Sequence, residues 1–566
     1  MKKMTLKCVP FATLTPAVLM ALSGSSVVAQ TAPTPDAGQV LRGLQQRPSP
    51  AVPQAVPLQR IDEAAVPAPG DQARVLVRSV VITGNQEVPA SALQPLVSDL
   101  VGSEQTLAQL NAAARRITAY YRRLGFAVAR AYLPAQDITN GVISIAVIEG
   151  RISSYRVNNT SLLSDAAANA YIGGIKPGDV IRSEHIDRGL LLLQDTPGVS
   201  SSRATLQPGA SVGTSELLIE VNPASPYNGS VVMDNYGSRY TGEYRLGGNF
   251  NLASPLGRGD QLSFSALTSG SGLNFGRLAY QVPVGSNGLR VGAAYFDTRY
   301  KLGQEFASLL ANGTARSTSI FAAYPFMRSQ MRNLSGTAAI EKKDLNDRVD
   351  ATGTQTGKKI SVTTLGLSGN MQDALWGGGI SSFDLGFELG KLAIQSPTAL
   401  AIDNASARTN GSYSRVAYSL NRLQRLGNST LLAASFSGQF AGKNLDSSEK
   451  ISLGGLNGVR AQPQGEASGD EGFKGSLELR QALTPNIQGT LFYDFGSITR
   501  INKTPFGAPA ASSRNLSGAG IGVNATFGKV LVRSALAWRL DGGLPTSLPA
   551  SQVRTPTLLL QATIAF

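Results

Sequence analysis

From Tyr227 to the last residue, Phe566, the chain is a succession of short segments in which apolar and polar residues alternate. In RLGGNFNL, Leu246, Gly248, Phe250 and Leu252 share one face, while Arg245, Gly247, Asn249 and Asn251 share the other. LRVGAAYF repeats the device, with Leu289, Val291, Ala293 and Tyr295 opposite Arg290, Gly292, Ala294 and Phe296. Period two means strands whose two faces meet different surroundings. Turn sequences such as SPLGRGDQ (254–261) and VPVGSNG (282–288) separate them. Any half-buried antiparallel sheet shows this period, but three features point to a lipid-facing barrel. The pattern recurs over the whole second half, its polar face is rich in glycine, and the chain ends LLLQATIAF, where Leu560, Ala562, Ile564 and Phe566 alternate outward to a terminal aromatic. That ending suits the last strand of an outer-membrane barrel, and the span suits a barrel in the middle of the known size range.

The N-terminus says how such a chain travels. MKKMTLKCVPFATLTPAVLMALSGSSVVAQ has a basic start, an apolar centre and a small-residue end, the pattern of a signal peptide over residues 1–29. After it, no apolar run reaches the roughly 18 residues of a membrane helix. The one cysteine, Cys8, lies in this leader, so the exported chain has no thiol for a disulfide or thiolate metal site. The one histidine, His185, cannot build an imidazole cluster and is expected on the surface of a helix, so no metal and no cofactor are expected. Enzymatic motifs fare no better. GTQTGKK (353–359) has one residue too few between its glycines for a phosphate loop, and lysine where Ser or Thr should follow. The formal charge of +14 fits nucleic acid, an anionic membrane surface or a basic channel equally well. Export argues against nucleic acid and makes Arg115, Arg116, Arg122 and Arg123 a solvated helix face, with Tyr120 and Tyr121 packing beside them.

Between leader and barrel the character changes twice. Residues 30–72 are rich in Pro, Ala and Gln, an extended linker in which Asp36 to Arg47 carries an N-cap and spaced apolar residues sufficient for a short helix. Residues 73–151 then read as strand (VLVRSVVITG), helix (SALQPLVSDL), helix (TLAQLNAAARRITAYYRRLG), strand (AVARAYLP) and strand (GVISIAVIEG). A looser copy follows over 152–223, ending in SSRATLQPG and ELLIEVNP. Two copies make an internal repeat of small α/β domains, each with a sheet edge to which an extended peptide can add.

Residues of both halves carry a resemblance. YYRRLGFAVARAYLPAQDITNGVISIAVIEGRI (Tyr120 to Ile152) resembles the end of a polypeptide-transport-associated (POTRA) domain of two-partner secretion transporters, the haemolysin secretion/activation and filamentous-haemagglutinin transporter family. DNYGSRYTGEYRLGGNFNLASPLGRGDQL (Asp234 to Leu262) resembles that family's first barrel hairpin. The resemblance implies a barrel of about sixteen antiparallel strands (224–566), two periplasmic POTRA domains, and an N-terminal plug helix at about 36–47. It further implies a loop, 454–473, folded into the lumen and carrying the family's Val-Arg-Gly-Tyr motif, matched by Val459, Arg460, Ala461 and Gln462. The motif's partner is a Phe-x-Asp-x-Gly strand, matched by Phe492, Asp494 and Gly496. Period two agrees independently: with Leu491, Tyr493 and Phe495 facing lipid, Phe492, Asp494 and Gly496 face the lumen. Arg460 and Asp494 would then latch the loop, in a site expected to be wet, contributing about 0–1 kcal/mol as an exposed pair and more if partly desolvated. Ala461 and Gln462 depart from the family's small-plus-aromatic pair and remove the tyrosine's stacking. The function implied is ATP-independent export of an unfolded exoprotein, an adhesin or haemolysin, with its activation left open. The other implied partners are the barrel-assembly machinery during biogenesis and outer-membrane lipid. A barrel-assembly insertase and a passive porin are the alternatives.

Overall fold

The computed structural model describes residues 34–44, 74–138, 140–500 and 513–566. The leader and most of the 30–72 linker lie outside the described residues.

The two repeats share one topology. In the first, Ser79–Thr83 runs parallel to Val142–Ile148, which pairs antiparallel with Arg130–Tyr132. In the second, Arg151–Asn159 runs parallel to Thr214–Pro223, which pairs antiparallel with Val199–Pro208. Helix Leu107–Arg123 starts at a capping box: the Thr106 hydroxyl accepts from the Gln109 amide N–H, and the Gln109 side chain accepts from the Thr106 N–H at 2.7 Å. Leu110, Ile117 and Tyr121 of this helix are buried against Ile143 and Ile145 of the sheet. Its opposite face is solvated, with Arg116 paired to Asp99 at 2.8 Å and Arg115, Arg122 and Arg123 exposed. His185 is exposed on helix Ser183–Gln194.

Two elements differ from the sequence expectation. SALQPLVSDL is not one helix; a single turn, Ala90–Leu93, gives way to 3-10 turns at Gln94–Leu96 and Ser98–Leu100. Pro95 cannot donate a backbone hydrogen bond, and its ring crowds the preceding turn. VLVRSVVITG likewise divides, Arg74–Leu76 pairing with Glu104–Thr106 while Ser79–Thr83 enters the three-stranded sheet.

Sixteen antiparallel strands close a barrel, the last, Thr557–Ala565, pairing with the first, Tyr227–Asp234. Closure leaves no unpaired edge, the requirement for strands in lipid. At the seam the Gly229 and Phe566 backbones exchange two hydrogen bonds of 3.0 Å. Beyond the ladder, the Asn235 side chain continues the pairing by accepting from Leu560 N–H at 2.8 Å and donating to the Leu558 carbonyl at 2.9 Å. Alternate residues, among them Phe264, Leu278, Ile340, Leu365, Leu491 and Ile521, stand exposed on the outside. The first strand follows the second repeat, so odd-numbered strands run outward and even-numbered ones return. The second repeat docks on the periplasmic turns: Arg328 makes a bidentate pair with Asp195, at 2.6 and 2.8 Å, and Ser164 N–H donates to the Gly257 carbonyl.

Candidate functional site

Two segments fill the lumen. The first is helix Ala37–Leu44, shorter than 36–47 because Asp36 is its cap, accepting from Gln39 N–H at 2.9 Å; residues 45–47 lie outside the described residues. Ala37 and Leu41 are buried in an apolar cluster with Ala311, Ala315, Leu345, Ile360 and Tyr413 on the barrel wall. The Ala37 N–H donates to Asp347 at 2.7 Å, and Asp36 meets Lys358 at 3.3 Å.

The second segment joins the eleventh strand, Thr430–Ala441, to the twelfth, Glu471–Thr484. It turns back inside the barrel through a short pairing of Ile451–Ser452 with Ser468–Gly469. The loop therefore starts before 454 and ends before 473, because Glu471 to Phe473 already pair with the thirteenth strand, Ile487–Thr499. Its tip is compact: Val459 N–H donates to the Leu453 carbonyl at 2.7 Å. Gly458 is required in that turn, since a Cβ would lie 1.9 Å from the Leu453 oxygen.

At the tip, Arg460 donates twice to Asp494, from Nε to Oδ2 and from an Nη to Oδ1, both at 2.8 Å. Its backbone N–H donates to the same carboxylate at 3.1 Å. The other Nη reaches Glu478 at 3.3 Å, and Ser476 bridges by donating to Asp494 at 2.7 Å. The guanidinium carbon lies 3.5 Å from the centre of the Phe492 ring, so Phe492 supplies a stacking face. Phe492 can lie flat because Gly520 faces it; a Cβ there would come within 2.3 Å of the ring. Gly518 likewise leaves room for the loop, since its Cβ would stand 2.8 Å from that of Ala461.

The site is dry rather than wet. The Asp494 side chain is 1% exposed and that of Arg460 14%, because Val459, Ala461, Leu453, Ile498 and Leu516 close an apolar cluster around them. Removing one partner of such a pair leaves a buried charge unopposed, a cost of about 3–5 kcal/mol. Ala461 fits the space above Gly518, and Thr557 donates to its carbonyl at 3.1 Å. The Gln462 side chain is buried, with no hydrogen-bond partner among the described residues. Gly496 lies under Leu453, where a Cβ would be 2.7 Å away. Phe566 is remote, at the seam.

Sequence reasoning missed most of the loop's anchors. Asp446 pairs with Lys358 at 2.8 Å, Glu449 with Lys343 at 2.9 Å and with Arg415 at 3.2 Å, and Glu466 with Arg514. Loop carboxylates thus meet wall cations along both limbs, and among the described residues only at Arg460 is the polarity reversed. Lys358 holds both Asp36 of the helix and Asp446 of the loop. Arg42 adds a second tie, donating to the Lys450 carbonyl and the Ser468 hydroxyl, each at 2.8 Å. Helix and loop form one plug of two parts, the helix against the fifth to eighth strands and the loop tip against the twelfth to sixteenth. Strand parity was the available signal: every wall anchor is the inward residue of an alternating segment.

Residues 213–525 match the family model described as haemolysin secretion/activation protein ShlB/FhaC/HecB, and residues 75–150 match the ShlB-type POTRA domain. Over 480 residues the chain is 30% identical to the heme/hemopexin transporter protein HuxB of Haemophilus influenzae, covering 82% of this chain and 83% of that one. It is 24% identical to the outer membrane transporter CdiB of Dickeya dadantii, covering 66% of each. The solved CdiB from Escherichia coli superposes with a TM-score of 0.70 over 89% of this chain and 93% of that one, at 20% identity, a likeness of fold. The barrel lies in the bacterial outer membrane with its POTRA domains in the periplasm, and the chain belongs to the haemolysin secretion/activation (ShlB/FhaC/HecB) family of two-partner secretion transporters.

Proposed function

We propose that the chain exports an unfolded exoprotein, the POTRA sheets capturing it by strand addition in the periplasm and the barrel conducting it to the surface without ATP. Folding of the cargo outside draws it through. The observation that carries this reading is the plug. Two lumenal segments are held by ion pairs and hydrogen bonds, and the helix can be withdrawn without opening the barrel seam. The helix leaves first, because among the described residues it is tied only through Asp36, Ala37, Arg42 and one apolar face. Its departure frees Lys358 from one carboxylate and uncovers the wall of the fifth to eighth strands. The tip stays pinned through Arg460 and Asp494 on the opposite wall, which keeps the loop out of the path during export.

HuxB suggests that the cargo is a secreted protein serving haem or haemopexin use. The test is release of a candidate exoprotein partner, sought first among the genes beside this one, measured in the medium with and without residues 74–222. Deletion is expected to abolish release while the barrel still conducts ions in a planar bilayer. Release that persists without the POTRA pair would favour a passive porin, and a general loss of outer-membrane proteins on depletion would favour an assembly insertase.

A further inference from the structure

The sixth, seventh and eighth strands, Ala311–Arg328, Arg332–Val349 and Thr354–Asp373, are 18, 18 and 20 residues long. At about 3.3 Å per residue and a tilt near 40°, 18 residues rise roughly 45 Å, against an apolar belt of about 25 Å. Their outer ends therefore stand clear of the hydrocarbon. The register shows what they present there. One outward row runs Ala293, Ile320, Ile340, Thr363, Leu389, the edge of the apolar belt. The next row toward the cell exterior is Tyr295, Thr318, Lys342, Ser361, Lys391, and the one beyond is Asp297, Arg316, Asp344, Lys359, Ala393. Arg299 stands one step further out.

Five cations thus meet two carboxylates immediately above the lipid-facing surface. Asp297 is occupied, by Arg316 at 2.7 Å and Arg299 at 3.1 Å. Lys342, Lys359 and Lys391 are exposed and have no ion-pair partner among the described residues. Polar rows begin where the hydrocarbon ends, and lysines at that height lay their stems on the apolar row and hold their ammonium groups among the headgroups. In the outer leaflet of an outer membrane those headgroups are phosphorylated glucosamine glycolipid.

We propose that this face of the fifth to ninth strands is a docking surface for that glycolipid, with Lys342, Lys359 and Lys391 receiving its phosphates and the hydroxyls of Thr318 and Ser361 its sugar. Continuity with the lipid-facing belt and charge complementarity select this occupant. It lies on the wall against which the plug helix packs from inside, so the bound lipid would brace the side of the barrel that export uncovers.

The experiment titrates bisphosphorylated lipid A onto the purified full chain in micelles and reads bound lipid by native mass spectrometry. It compares the wild type with the triple variant Lys342→Gln/Lys359→Gln/Lys391→Gln at equal folded fraction. We expect at least a tenfold weaker apparent affinity in the variant, and the same loss when dephosphorylated lipid A is offered to the wild type. The triple Lys→Arg variant, which keeps the charge, should bind as the wild type does. Equal binding by the Gln variant, equal binding of dephosphorylated lipid, or full competition by millimolar inorganic phosphate alone would overturn the proposal.

Discussion

Arg460 shows why one residue type suits this position. A lysine keeps the charge, but it has neither the planar fork that meets both Asp494 oxygens nor the flat face that covers Phe492. Arg460→Lys should therefore release cargo at a level between those of the wild type and Arg460→Ala, measured in the medium at equal inserted barrel. Gly518 tests the same docking without touching a charge. Gly518→Val drives side-chain atoms into Ala461 and Val459, whose nearest atoms a Cβ would meet at 2.8 and 3.4 Å. With Cys8, the one cysteine of the sequence, replaced by serine, a Gln462→Cys chain would carry one reporter thiol. That buried thiol should react with an impermeant maleimide at least tenfold faster in the Gly518→Val background, and an unchanged rate would mean that the glycine does not seat the tip. The Arg460 and Asp494 positions were legible in the sequence through the two motifs of the family resemblance, with strand parity agreeing for Asp494. The dryness of their site was not, since it depends on Leu453, Ile498 and Leu516 arriving from three elements.

Among the elements, the plug helix and the loop are coupled through Lys358 and Arg42. Removing residues 34–44 should raise the single-channel conductance of the reconstituted barrel severalfold. Lys358→Gln should raise it by a smaller factor through more frequent helix departure. Conductance unchanged by the deletion would mean that the helix does not obstruct the lumen. The helix could be read from Asp36 and the spacing of Val40, Leu41 and Leu44, because its signals are local. The loop limbs could not, because their anchors are far apart in sequence. Glu449 finds Lys343 across 106 positions, and nothing local to either residue marks the pair. SALQPLVSDL shows the opposite failure, a local signal misjudged, where apolar spacing suggested a helix that Pro95 interrupts.

At the scale of the whole molecule, strand alternation and the α/β repeat determined the architecture, because both are periodic and leave their mark on every segment. The docking of the second POTRA domain on the barrel left no such mark, resting on single residues such as Asp195 and Arg328. Asp195→Ala should loosen that junction by roughly 1 kcal/mol, since the pair is partly exposed; faster amide exchange across 254–260 would report it, and unchanged exchange would place the rigidity elsewhere. The central claim is that a loop pinned to one wall by Arg460 and Asp494 is part of an export pore. Its most direct measurement is cargo release at equal inserted barrel for Arg460→Ala, Asp494→Ala, the double variant and the swap Arg460→Asp/Asp494→Arg. The account predicts loss of release in each single variant, no further loss in the double, and partial recovery in the swap. Normal release from the single variants, with the barrel fully assembled, would contradict it.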